Sequence, residues 1–213
     1  MNKELSIRQL FVMQLKGLVS IAIKFIKDWS LMMFKISTFL VGISEGEESY
    51  ISLDDSFKLR EIFEHRKFTP DHIQIHIKIQ YNDQIVVGND IPSGLDLWTD
   101  YIVGIEQYLD GENVEKPYGI DQYLMKLISI NSSLLEFSIV GDWEPVEVFA
   151  QAILPKREFL EAILDGATHF WTTLNDYKVF KGKNTKNTTP KEYPKLIIEE
   201  IEELRKKVKT LLN

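Results

Sequence analysis

From His72 to Tyr81 the chain alternates, with Ile73, Ile75, Ile77, Ile79 and Tyr81 set against His72, Gln74, His76, Lys78 and Gln80. A period of two predicts a strand after Pro70 with one face buried and one wet. Asn82-Asp83 stands where a tight turn belongs and Ile85-Val86-Val87 returns, which predicts a β-hairpin. The period then changes. Ser93 and Gly94 precede Leu95, Trp98, Ile102, Ile105 and Leu109, and these steps of three and four predict an amphipathic helix from near Ser93 to a stop at Gly111. Tyr123 to Ile130 reads as a strand in preference to a helix. Leu134 to Val140 and Val146 to Leu154 read as paired strands around a Gly141-Asp142 turn. Pro155 sits at the first position of a helix continued by Phe159, Ile163, Ala167, Phe170 and Leu174.

The two ends have a different texture. Residues 8–28 predict a helix whose Lys16, Ser20, Lys24 and Lys27 share one narrow polar stripe. Such a helix is either packed with one solvated edge or lies on a membrane surface as a basic amphipathic segment. Met32 and Met33, just before a strand-like run from Phe34 to Val41, offer a start for a shorter product. Glu45 to Ser49 reads as a solvated turn, and Ser56 to Arg66 as a short helix with N-cap candidates in Asp54-Asp55-Ser56. Lys178 to Thr188 reads as a linker. Thr189-Pro190-Lys191-Glu192 has capping-box spacing, with Tyr193-Pro194 as a second start. Leu196 to Leu212 predicts a charged amphipathic helix, glutamates first and lysines last, as the helix dipole favours. The fold class expected is α+β: an antiparallel sheet of about four to six strands built from hairpins, with helices 94–110 and 155–176 on one face and further helices at both termini.

Composition makes a folded core necessary: 44% of the 213 residues are hydrophobic and 11% aromatic, which excludes general disorder. Cysteine is absent, which excludes disulfides, thiolate catalysis and cysteine metal sites and suits a reducing cytoplasm. No secretory signal pattern is present, and the uncharged run from Gly17 to Ile23 falls far short of the roughly 20 residues that span a bilayer. Charge divides the chain into three. Residues 1–42 carry six basic and two acidic side chains, residues 43–177 nine basic and 25 acidic, and residues 178–213 ten basic and five acidic. The expected organisation follows: a basic helical segment over 1–42, an acidic α+β domain over 43–177 and a basic linker with a C-terminal helix over 178–213. An acidic body repels nucleic acid and attracts basic surfaces.

Candidate chemistry is sparse. His72 and His76 share a strand face about 13 Å apart, too far to hold one metal ion, and read as solvated histidines. His65 ends a charged helix, and His169 reads as a packing or hydrogen-bonding residue. Neither a Gly-x-Ser-x-Gly elbow nor a glycine-rich phosphate loop occurs. Asp96, Asp100 and Glu106, or Asp54 and Asp55, could hold a divalent cation, but a solvated acidic surface accounts for them as well. No catalytic residue, metal ligand or cofactor site is assigned. Trp143, between Asp142 and Glu144 at a hairpin tip, is either an anchor for a partner protein or a ring folded back over the sheet edge.

Asp90-Ile91-Pro92-Ser93-Gly94-Leu95-Asp96-Leu97-Trp98, then Leu135-Glu136-Phe137-Ser138-Ile139-Val140-Gly141-Asp142-Trp143, then Arg157-Glu158-Phe159-Leu160-Glu161-Ala162-Ile163-Leu164 leading to His169-Phe170-Trp171 resembles small acidic bacterial α+β proteins encoded beside polymorphic toxins as immunity proteins. The resemblance implies a non-enzymatic binder that covers the active surface of a basic protein. The contact candidates are Asp96, Asp100, Glu106, Asp142, Trp143 and Glu144. Two other readings stand: an enzyme using carboxylates with a divalent metal, and a membrane-peripheral protein held by residues 8–41.

Overall fold

The computed structural model describes residues 34–44, 47–65, 73–91, 93–94, 96–111, 113–181 and 192–212. Strands β1 (Phe34–Ser44), β2 (Glu47–Ser52), β3 (Ile75–Tyr81) and β4 (Gln84–Val87) form one antiparallel sheet in the order β2-β1-β3-β4. Strands β5 (Asn113–Pro117), β6 (Tyr123–Ser129), β7 (Leu134–Gly141) and β8 (Val148–Pro155) form a second, a meander in sequence order. The helices are α1 (Ser56–His65), α2 (Leu97–Gly111), α3 (Lys156–Asp176) and α4 (Tyr193–Leu211). The fold class is therefore α+β, with the strands divided between two four-stranded sheets instead of gathered in one.

Local chemistry explains the elements. Ile75, Ile77 and Ile79 of β3 are buried, and β3 pairs with β1 from Ile79↔Ile36 to Ile75↔Leu40. The β3–β4 turn has both central residues in the left-handed region, Asn82 at φ 49° and Asp83 at φ 62°. That is the hairpin turn whose twist matches the strands, and asparagine and aspartate tolerate it where other side chains resist. At the start of α1 the Lys58 N–H donates to Asp55 Oδ1 at 3.1 Å, an N-cap satisfied from the predicted cluster.

Neither sheet could bury its apolar face alone. Helix α3 packs on β1 and β8, α2 packs on β5 and β6, and the two helices pack on each other, while the edge strands β4 and β8 lie side by side. Aromatic rings run through this layer. Tyr81 stacks on Phe34 at 4.6 Å, Phe34 meets Phe159 of α3 at 5.7 Å, and Phe159 meets Phe137 of β7 at 5.2 Å. Phe137 in turn stacks on Tyr101 of α2 at 6.2 Å, and Tyr101 adjoins Trp98 at 5.8 Å. Trp98 is fully buried, and its Nε1–H donates to Thr38 Oγ1 of β1 at 3.2 Å. Helix α4 buries Ile197, Ile201, Leu204 and Val208 against α3 and α2, and Arg205 reaches Asp165 at 2.6 Å.

Several expectations are corrected. His76 is buried rather than solvated, at 2% exposure, with the Phe39 and Tyr50 rings 6.2 and 5.5 Å away. Residues 47–49, read as part of a turn, instead begin β2 (47–52), which pairs with β1, and β5 follows α2 where no strand was predicted. Helix α2 begins at Leu97; Gly94 instead exchanges two backbone hydrogen bonds with Ile75, each 2.9 Å. Pro155 ends β8 with ψ at 119°, and the helix begins after it. Helix α4 uses the Tyr193-Pro194 start, with Glu192 before it making no side-chain cap hydrogen bond; Thr189 to Lys191 of the capping box, the 8–28 helix and His72 lie outside the described residues.

Gly166 marks the closest approach of α3 to the rest of the core. A β-carbon there would stand 2.5 Å from Trp98 Cη2 and 3.1 Å from Ile36 Cγ2. Helix propensity alone would favour Gly166→Ala by about 1 kcal/mol. The neighbouring indole is fully buried and cannot swing aside, so the sign reverses. The substitution is expected to destabilise the fold by about 1–3 kcal/mol, as a fall in the urea midpoint.

Candidate functional site

Two loops meet at one end of the second sheet. The first is the β5–β6 turn, residues 118–122, closed by the Tyr118 N–H donating to the Tyr123 carbonyl at 2.9 Å. The second is the β7–β8 loop, residues 142–147, closed by the Gly141 N–H donating to the Glu147 carbonyl at 2.8 Å. The Asp142 N–H joins them by donating to the Gln122 carbonyl, also at 2.8 Å. The Glu144–Pro145 peptide within the second loop is cis.

Asp100 of α2 holds the first loop from beneath. Its Oδ2 accepts the Gly119 N–H at 2.7 Å, and its Oδ1 accepts from Lys116 Nζ at 3.0 Å, with both side chains under 20% exposed. Burial raises the Tyr101 and Tyr118 phenols beside it well above their usual range, and the charge of Asp100 adds to that rise. Both phenols are neutral at any physiological pH.

Trp143 folds back over the sheet. A β-carbon on Gly141 would lie 2.5 Å from Trp143 Cε2 and Cζ2, so the indole rests directly on the glycine backbone. Tyr123 of β6 and Phe149 of β8 stand across it at 5.5 and 5.9 Å, near 73° and 72° to its plane. The indole is nonetheless half-exposed. On the two loops Ile120 is 71% exposed and Val146 is 55% exposed.

The electrostatics of this end are one-sided. Asp121, Asp142, Glu144 and Glu147 are all exposed, and neither 117–125 nor 141–155 contains a lysine or arginine. Several acids elsewhere are matched: Glu115 with Lys126 at 2.8 Å, Glu161 with Arg157 at 3.1 Å, Asp165 with Arg205 at 2.6 Å. Among the described residues none of the four loop acids is in an ion pair.

Three of the six sequence candidates, Asp142, Trp143 and Glu144, lie on this surface, with Asp100 buttressing it from below. Asp96 and Glu106 lie elsewhere. Asp96 precedes α2 in a left-handed conformation, φ 59°, and lines a crevice of about 30 Å³ with Trp98, Phe170, Trp171 and Phe180. Glu106 faces α4, where burial first and Glu106 second raise the Glu200 carboxyl above its ordinary range. Asp96, Asp100 and Glu106 therefore do not converge on a cation. Among the described residues no group of three histidine, aspartate or glutamate side chains does. No helix among them is long and apolar enough to cross a membrane. The sequence reading missed Ile120, Asp121, Val146 and Glu147. An apolar side chain beside an acid in each of two turns was the available signal, but only the pairing of those turns gives it meaning.

Removing the Asp100 carboxylate leaves Lys116 with the Asp100 carbonyl alone, at 3.1 Å, and the Gly119 N–H without its acceptor. Asp100→Ala is expected to cost about 1–3 kcal/mol in urea unfolding and to speed hydrogen exchange at the Gly119 amide. Glu200 gives a pH test. Its carboxyl is raised in the fold, so its contribution to stability is complete below the unfolded glutamate value of about 4.3 and is lost as pH rises through the folded value. Glu200→Gln is therefore expected to melt higher than the parent at pH 7, with the difference closing as pH falls below about 4.

Set against family models, curated proteins and solved structures, the chain matches none, so a function has to be argued from these residues themselves.

Proposed function

We propose that this chain is a non-enzymatic protein-binding module that covers a basic surface on its partner, as an immunity protein covers a toxin. The observation that carries this reading is the end of the second sheet, where four exposed carboxylates, none in an ion pair among the described residues, share two joined loops with exposed Ile120 and Val146 and a half-buried Trp143. Unpaired surface acids repel one another. A partner that supplies cations relieves this repulsion and gains charge-assisted contacts, while the apolar side chains supply burial. The −16 net charge of residues 43–177 extends the field outward and speeds encounter with a basic protein. The lack of cysteine suits a reducing compartment, and we place the activity in the cytoplasm.

The test is affinity capture from a lysate of the source organism at low and moderate salt, using the parent and a variant with Asp121, Asp142, Glu144 and Glu147 changed to lysine. The parent is expected to hold one basic protein, less tightly as salt rises, and the variant to lose it by at least about ten-fold, in line with several close charge pairs at an interface. Equal recovery by both, or recovery of nothing specific by the parent, would sink the proposal.

A further inference from the structure

Charge alone does not explain why a large aromatic lies at the centre of the acidic surface. Trp143 has Gly141 as its floor, and Tyr123 and Phe149, carried by the strands on either side of β7, as its walls. The walls also brace each other, 5.1 Å apart and nearly perpendicular. The benzo ring of the indole thus lies against backbone, and the residue as a whole is half-buried. Asp142 and Glu144 flank Trp143 in sequence, and Asp121 and Glu147 belong to the two loops that Asp142 joins.

We infer that Trp143 is a stacking platform for an arginine side chain of a basic protein partner. This rests on the reading of the surface as the site for such a partner. Arginine is the occupant that fits both halves of the geometry. Its planar, weakly hydrated guanidinium lies flat on an indole, and its five donors reach carboxylates at the rim of the ring. A lysine ammonium is a compact, strongly hydrated charge that meets the carboxylates but gains less from the ring. The ring is also held in place before binding, so little side-chain freedom is lost when the partner arrives.

Two synthetic peptides of equal length and charge, one of arginine–glycine repeats and one of lysine–glycine repeats, provide the test. Each is titrated into the full chain at low salt, by calorimetry and by the NMR signal of the Trp143 indole N–H. The arginine peptide is expected to bind about two- to five-fold tighter and to shift that signal. Trp143→Leu should erase the preference while leaving weak, salt-sensitive binding of both peptides. Gly141→Ala should do the same with every charge intact, because its methyl would evict the indole. Melting curves confirm that each variant is folded. Equal affinity for the two peptides in the parent, abolished by Asp142→Lys with Glu144→Lys, would overturn the arginine platform and leave the basic-partner reading standing. An arginine preference that survives in both Trp143→Leu and Gly141→Ala would likewise overturn it. Binding of neither peptide would overturn both readings together.

Discussion

The fold depends on one layer of aromatic and aliphatic side chains being shared by two sheets. A four-stranded sheet with one apolar face must cover that face, and neither half of this chain has helices enough to do so alone. The ring series from Tyr81 through Phe34, Phe159, Phe137 and Tyr101 to Trp98 crosses from the first sheet to the second by way of α3 and α2. Each such contact adds about 0.5–1.5 kcal/mol beyond area burial, but position matters more than the sum. Phe159 touches a ring from each sheet, and Trp98 on α2 is hydrogen-bonded to β1. Loosening one sheet therefore exposes part of the surface that covers the other.

The same sharing explains how the acidic end of the second sheet is held. Asp100 reaches Gly119 and Lys116 because α2 packs on β5. The helix that closes the core thus also fixes the turn bearing Ile120 and Asp121. Asp100 and the loop acids have opposite roles despite being one chemical type. Asp100 is mostly buried and fully satisfied, so it builds structure. The loop acids are exposed and in no ion pair among the described residues, so they set the charge of the surface.

Much of the framework was legible in the sequence because periodicity reports burial. The β3 isoleucines, the α3 series from Phe159 to Leu174 and the α4 stripe from Ile197 to Val208 all face the core as their spacing implies. What was not legible depends on pairing across long separations. Glu47, Glu48 and Ser49 read as a solvated turn, yet β1 offers them a partner strand. Asn113–Pro117 is short and mixed in polarity, and only β6 makes it a strand. His76 occupies the wet phase of its strand and is buried by aromatics from β1 and β2 that no local pattern could place beside it. The site shows the same division. Asp142, Trp143 and Glu144 stood out as neighbours in sequence, whereas Asp121 and Ile120 join them only through the backbone bond from Asp142 to Gln122.

The two readings of Trp143 open at the level of sequence, partner anchor or ring folded back on the sheet, are compatible once Gly141 is considered. A ring free to wander would lose rotamer entropy on binding, and a ring fully buried would offer no surface. A glycine beneath it lets the indole settle against the strand, ordered by Tyr123 and Phe149, while the residue stays half-buried and keeps some surface for a partner. A β-carbon at 141 would lift the ring from this seat. The residue that determines whether Trp143 can act as an anchor is therefore one with no side chain, and no reading of charge or hydrophobicity along the chain would single it out.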